Sequence, residues 1–167
     1  MFELTTIPHS EISSGQLDQI IQIKSMAWPY SFKEQNEWIQ KNIKDSDIHI
    51  FLLNEQKQVV AYLNLIDIEL SIDEQLYPAY GIGNVCALKK GEGWGKELIL
   101  KTNEFLIEKK RIGLLFCKDP LSNFYNQNHW RIIAPDYFRR ILKNGIHAFL
   151  YNGPVEFNKL AYNGPLF

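Results

Sequence analysis

Val85-Cys86-Ala87-Leu88-Lys89-Lys90-Gly91-Glu92-Gly93-Trp94-Gly95-Lys96-Glu97-Leu98 decides how this chain is read. An apolar, strand-like run passes through three closely spaced glycines into a run with helical periodicity. Leu98, Thr102, Phe105 and Leu106 stand at i, i+4, i+7 and i+8, one face of a helix. A loop of this kind has direct chemistry. The first N–H groups of a helix have no partner within it, and the positive end of the helix dipole lies among them. Glycines let the backbone approach a ligand closely, and Lys89, Lys90 and Lys96 add positive charge. The expected guest is a phosphate or pyrophosphate. A P-loop is excluded, because Lys90 stands where its first glycine belongs and Glu97 where its Ser/Thr belongs. A dinucleotide fingerprint is excluded too, since glycines at 91, 93 and 95 do not fit Gly-x-Gly-x-x-Gly.

Outward from the loop, the chain alternates strands and helices. Phe2–Ile7 is strand-like. Ser13 with Gln16, and Ser31 with Glu34, have capping-box spacing and predict two helix starts. The first helix carries Leu17, Ile20 and Ile21 on one face and should stop before Pro29. The second places Trp38, Ile39 and Ile43 inside. His49–Leu53 and Val59–Leu70 form a hairpin across the polar link 54–58. Ser71–Tyr77 reads as an acidic turn closed by Pro78, followed by a strand over Ala79–Leu88. Gly81 and Gly83 within that strand suggest a bulge or a close backbone approach. After the long helix, Ile112–Cys117 reads as a buried parallel strand, and Asp119-Pro120 opens a short helix. Arg131–Ile133, Asp136–Leu142 and Ile146–Tyr151 complete the body. Tyr-Asn-Gly-Pro occurs at 151–154 and again at 162–165, read as two similar turns. The sum is an α/β (α+β) fold: one domain over residues 1–167, a mixed, mostly antiparallel central sheet with helices on both faces.

Composition narrows the function. The chain has 167 residues, 46% hydrophobic and 13% aromatic, enough for a core without metals or disulfides. With 18 Lys+Arg against 19 Asp+Glu it lacks the positive excess of a nucleic-acid binder. No apolar run approaches the roughly 20 residues of a membrane span, and the start Met1-Phe2-Glu3 does not resemble a signal peptide. A cytoplasmic protein is expected. Cys86 and Cys117 form neither a disulfide framework nor a metal site and read as small buried hydrophobes.

Lys90-Gly91-Glu92-Gly93-Trp94-Gly95 resembles the Arg/Gln-x-x-Gly-x-Gly/Ala loop of the GNAT superfamily of N-acetyltransferases, with Val85 at the place of the family's strand valine. Phe124-Tyr125-Asn126-Gln127-Asn128-His129-Trp130 resembles the family's Phe-Tyr-x-x-x-Gly-Phe. Phe116-Cys117-Lys118-Asp119 is similar to the Cys-x-Asp of the aminoglycoside 2′-N-acetyltransferase branch. The resemblance spans roughly residues 1–150. It implies acetyl-CoA as cosubstrate, with no metal. The amides of Lys90, Gly91, Glu92, Gly93, Trp94, Gly95 and Lys96 would hold the pyrophosphate, and the main chain of Val85 and Ala87 would pair with the pantetheine arm. Tyr125 would be the general acid in a direct transfer to a primary amine, on a small molecule (aminoglycoside-like among them) or a peptide. The general base stays open among Asp67, Glu69, Asp119, His129 and a water, and a homodimer is left open. Lys90, Trp94 and His129 depart from the pattern, so the alternative is a non-catalytic acyl-CoA-binding sensor or scaffold.

Overall fold

The structure is a computed structural model describing residues 1–167. Its strands are β1 (Glu3–Pro8), β2 (Ile48–Leu53), β3 (Val59–Ile72), β4 (Gln75–Ala87), β5 (Ile112–Lys118), β6 (Arg131–Ile132), β7 (Ile146–Tyr151) and β8 (Leu160–Ala161). Its helices are α1 (Ser14–Ala27), α2 (Phe32–Asn42), α3 (Trp94–Glu108) and α4 (Asp119–Gln127). The strands form one sheet in the order β1-β2-β3-β4-β5-β7-β6, with β8 on β3. The β4–β5 pair is parallel; β1–β2, β2–β3, β3–β8, β5–β7 and β6–β7 are antiparallel. The mixed, mostly antiparallel sheet expected from the sequence is therefore present. No helix is long and apolar enough to cross a membrane.

The chain divides into two compact units, and β3, β4 and α3 contribute residues to both. The first unit holds residues 1–66 and 83–101. Both capping boxes form in it: Ser13 with Gln16 and Ser31 with Glu34 satisfy each other's backbone and side-chain groups. Each such N-cap contributes about 1 kcal/mol to its helix. α1 ends at Ala27, before Trp28-Pro29, as the proline requires. Ile20, Ile21 and Ile23 of α1 and Ile39 of α2 pack with Ile43, Phe51, Tyr62 and Cys86. Trp38 departs from expectation. It is 39% exposed, and its ring covers the ammonium of buried Lys24 at 4.0 Å. A cation–π contact lets a half-exposed ring shield a charge that burial would otherwise penalise. That burial lowers the Lys24 pKa to about 8, with the nearby Cys86 acting in the opposite sense.

The second unit holds residues 67–82 and 102–167. Leu70, Ile72, Ala79, Ile112, Leu114, Phe138, Leu150, Leu160 and Tyr162 form its core. The expected turn over Ser71–Tyr77 is shorter than read. β3 runs to Ile72, and β4 starts at Gln75, ahead of Pro78. Only Asp73 and Glu74 lie between, at φ 47° and 68°, the left-handed pair of a two-residue hairpin turn. Asp73 is held there from outside the hairpin: its carboxylate accepts from the backbone N–H groups of Asn158 and Lys159, and its own N–H donates to Lys159 O. The Asp136–Leu142 stretch contains one 3-10 turn, Pro135–Tyr137, and no ladder. A short eighth strand, Leu160–Ala161, lies instead on Ser71–Ile72.

Candidate functional site

Near the end of β4 the backbone breaks its own rule. Asn84 lies at φ 53° inside an extended strand, the left-handed region that Asn tolerates better than most residues. Its Nδ2 donates to Asn64 Oδ1 at 2.6 Å, while Asn64 Nδ2 is sealed from solvent without a partner. An unpaired buried donor costs about 1–3 kcal/mol. Strain of this kind concentrates where a chain is shaped for a task other than stability. Of the bulge or close backbone approach expected at Gly81 and Gly83, Gly81 shows the close approach, and neither glycine has positive φ. Gly81 is there because the ring of Phe167 fills the space a β-carbon would take. The parallel register of β4 on β5 covers Ala79–Ile82, and β4 continues past it through Val85, Cys86 and Ala87. Cys86 points into the packed residues of α1 and α2, so Val85 and Ala87 face the other way. Leu88 N then donates to Val60 O at 2.9 Å and closes the strand.

The glycine loop follows. Gly91 and Gly93 have φ of 85° and 77°. A β-carbon at either would meet nothing within 4 Å, so backbone conformation, not crowding, demands glycine there. The first helical bond of α3 runs from Glu97 N to Gly93 O at 3.0 Å. The amides of Trp94, Gly95 and Lys96 therefore precede the ladder and point out of its start. Lys89, Lys90, Gly91, Glu92 and Lys96 are exposed, and Trp94 and Gly95 are half-buried. Three unbonded N–H groups, a helix start, open space and flanking lysines form an anion cradle within the first unit.

Tyr125 lies in the second unit. It is 5% exposed, set among Phe124, Trp130 and Phe149 at ring-centroid distances of 5.0, 6.5 and 5.9 Å. Its hydroxyl bonds to no protein atom, yet it is not sealed, because the sealed and unpartnered polar atoms are Asn64 Nδ2 and Asn128 Oδ1. Burial, and then the neighbouring Cys117, raise its pKa above the usual tyrosine value. A phenol so placed keeps its proton through neutral pH and is a donor, not a base. The turn behind it is fixed by side chains the sequence did not single out. Asn103 of α3 donates to Asn128 O at 3.0 Å and accepts from Trp130 Nε1 at 2.9 Å. His129, where the motif has glycine, takes the left-handed backbone a glycine adopts freely, at φ 69°. Trp130, where the motif has phenylalanine, is 1% exposed.

The candidate bases are spoken for to different degrees. Asp67 is paired with Arg111 at 3.2 Å, and Asp119 with His147. Glu69 and His129 are exposed. Burial raises the thiol pKa of Cys86 to about 12 and that of Cys117 as well, so neither is a ready nucleophile. No group of three or more His, Cys, Asp or Glu side chains is placed to hold a metal ion.

No protein-family model matches the chain, and no curated protein matches it by sequence. Solved structures do match. Escherichia coli ElaA shares 23% identity and a TM-score of 0.63 over 90% of this chain and 99% of its own. An acyl-CoA N-acyltransferase from Pseudomonas aeruginosa shares 15% identity and a TM-score of 0.64, again over 90% and 99%. A GCN5-related N-acetyltransferase from Kribbella flavida shares 17% identity and a TM-score of 0.61 over 78% of this chain, which spans 33% of that longer protein. At these identities the likeness is one of fold: this chain folds as these solved structures do, N-acetyl- and N-acyltransferases among them, which is the fold that the resemblance to the GNAT superfamily implied.

Proposed function

We propose that this chain is an N-acetyltransferase that moves an acetyl group from acetyl-CoA to a primary amine by direct attack. The observation that carries the reading is the anion cradle at the start of α3, directly behind a strand bent at Asn84. The residues present fit the cosubstrate: unbonded amides and lysines suit a pyrophosphate, and open space lies over Gly91 and Gly93. The amides from Lys90 to Lys96 would hold the pyrophosphate oxygens. The main chain of Val85 and Ala87 would pair with the pantetheine arm as an added strand does. The cosubstrate supplies the acetyl group as a thioester. A neutral amine would form the C–N bond as the C–S bond breaks; the Tyr125 hydroxyl would give its proton to the departing sulfur, and the proton shed by the new amide nitrogen would return to Tyr125 through water. Its raised pKa keeps Tyr125 protonated at neutral pH and makes it a weaker acid than a free tyrosine, so its proton moves only as charge builds on the sulfur. Acid help of this kind is worth ~10²–10⁴-fold. The acceptor is a small-molecule amine, aminoglycosides included, or a peptide amine.

The test pairs calorimetry with thiol release. Acetyl-CoA should bind both the native chain and Tyr125→Phe. On an amine panel that includes aminoglycosides, turnover should fall about 100-fold or more in the variant. Binding without turnover on any amine would replace the enzyme by an acyl-CoA-binding sensor. Absence of binding would remove the cradle reading and every role that depends on it.

A further inference from the structure

The second unit contains a cavity of about 560 Å³, and none of the residues lining it has been given a role in the proposed transfer. It lies along the Ile133–Ala148 stretch. A volume of that size suits a small organic ligand. Its apolar side includes Ile133 and Phe138, 6% and 5% exposed. Its polar side carries Arg139, Arg140, Lys143 and His147, and no carboxylate lines it. Two of these four are already engaged. Arg140 donates to the carbonyl of Gly164, and the His147 ring is paired with Asp119. Arg139 and Lys143 take part in no ion pair and no side-chain hydrogen bond, and both are exposed.

We propose that this cavity binds a compact carboxylate with an apolar body, its carboxylate on Arg139 and Lys143 and its body on Ile133 and Phe138. The chemistry selects against the alternatives. A polycation would bring its charges to a wall of cations. A phosphate dianion is usually met by a cluster of backbone amides at a helix start, and the helical structure among the lining residues is limited to one 3-10 turn, Pro135–Tyr137. One guanidinium, one ammonium and an aromatic floor instead suit a monoanion with a hydrocarbon side. The site stands whether or not the chain transfers acetyl groups.

The test uses the full chain and three probes with the same ring: sodium phenylacetate, phenethylamine and phenyl phosphate, titrated by calorimetry. Phenylacetate should bind at least about tenfold more tightly than phenethylamine, the scale of one charge-assisted hydrogen bond. Arg139→Gln with Lys143→Gln, two exposed substitutions, should remove that preference while circular dichroism and melting temperature stay unchanged. Phe138→Leu should weaken all three probes alike. A preference for the amine, a preference for phenyl phosphate, equal binding of all three, no binding at millimolar concentration, or an undiminished preference in the double variant would each overturn the proposal.

Discussion

His49 is completely buried, and both ring nitrogens are engaged. Its Nε2 lies 2.8 Å from His9 Nδ1, and its Nδ1 lies 2.8 Å from Tyr62 Oη. Burial raises the Tyr62 pKa well above the usual value, so the phenol keeps its proton and donates to Nδ1. That leaves the His49 proton on Nε2, aimed at His9. Burial, then the charges of His9 and Lys24, lower the His49 pKa from 6.5 to about 4. The unfolded chain would therefore take up a proton near pH 6.5 that the folded chain refuses until about pH 4. Stability from this residue is complete above pH 6.5 and is lost as pH falls toward 4, by roughly 3 kcal/mol in all. Chemical denaturation of the native chain and His49→Gln across pH 7 to 4 should show a shallower acid limb in the variant. The slope is the readout, because the substitution also removes two hydrogen bonds and lowers stability at every pH.

At the scale of elements, what could be read in advance was what short-range chemistry sets. Ser13/Gln16 and Ser31/Glu34 are four-residue signals, and both helix starts fell where they pointed. The loop from Val85 to Leu98 is equally local: its glycines, its helix start and the strand before it can be read side by side. The hairpin turn at Asp73–Glu74 is the opposite case. Nothing near it marks a two-residue turn, because the groups that hold it come from Asn158 and Lys159. The bend at Asn84 was hidden for the same reason: its partner is Asn64, twenty residues back. Within the glycine loop, Gly91→Ala and Gly93→Ala put a β-carbon on left-handed backbone with no steric clash nearby. Each should cost about 1 kcal/mol or slightly more of local stability, and the pair should weaken acetyl-CoA binding tenfold or more. Calorimetry beside a thermal melt separates the two effects. A large loss of affinity with a melting temperature only a few degrees lower is the expected pattern.

For the whole molecule, two compact units with separate cores hold the chain's two cysteines, 7% and 6% exposed. An aromatic disulfide reagent at pH 8 should find no fast-reacting thiol in the native chain and two after unfolding in urea. A rapidly reacting thiol in the folded state would contradict the burial of Cys86 or Cys117. Tyr125 shows how far local sequence carries a functional assignment. Its motif neighbours could be named from the family resemblance, but the donor that secures their turn, Asn103, lies in a different helix and carried no motif of its own. The aromatic lid over Lys24 has an optical consequence. An indole with an ammonium 4.0 Å from its ring centre emits in a strong local field, and that field vanishes when the amine gives up its proton near pH 8. Trp38 is thus a built-in colour indicator. Its emission should shift as pH passes 8 and stay flat in Lys24→Met, reporting the charge state of one buried amine without any added label.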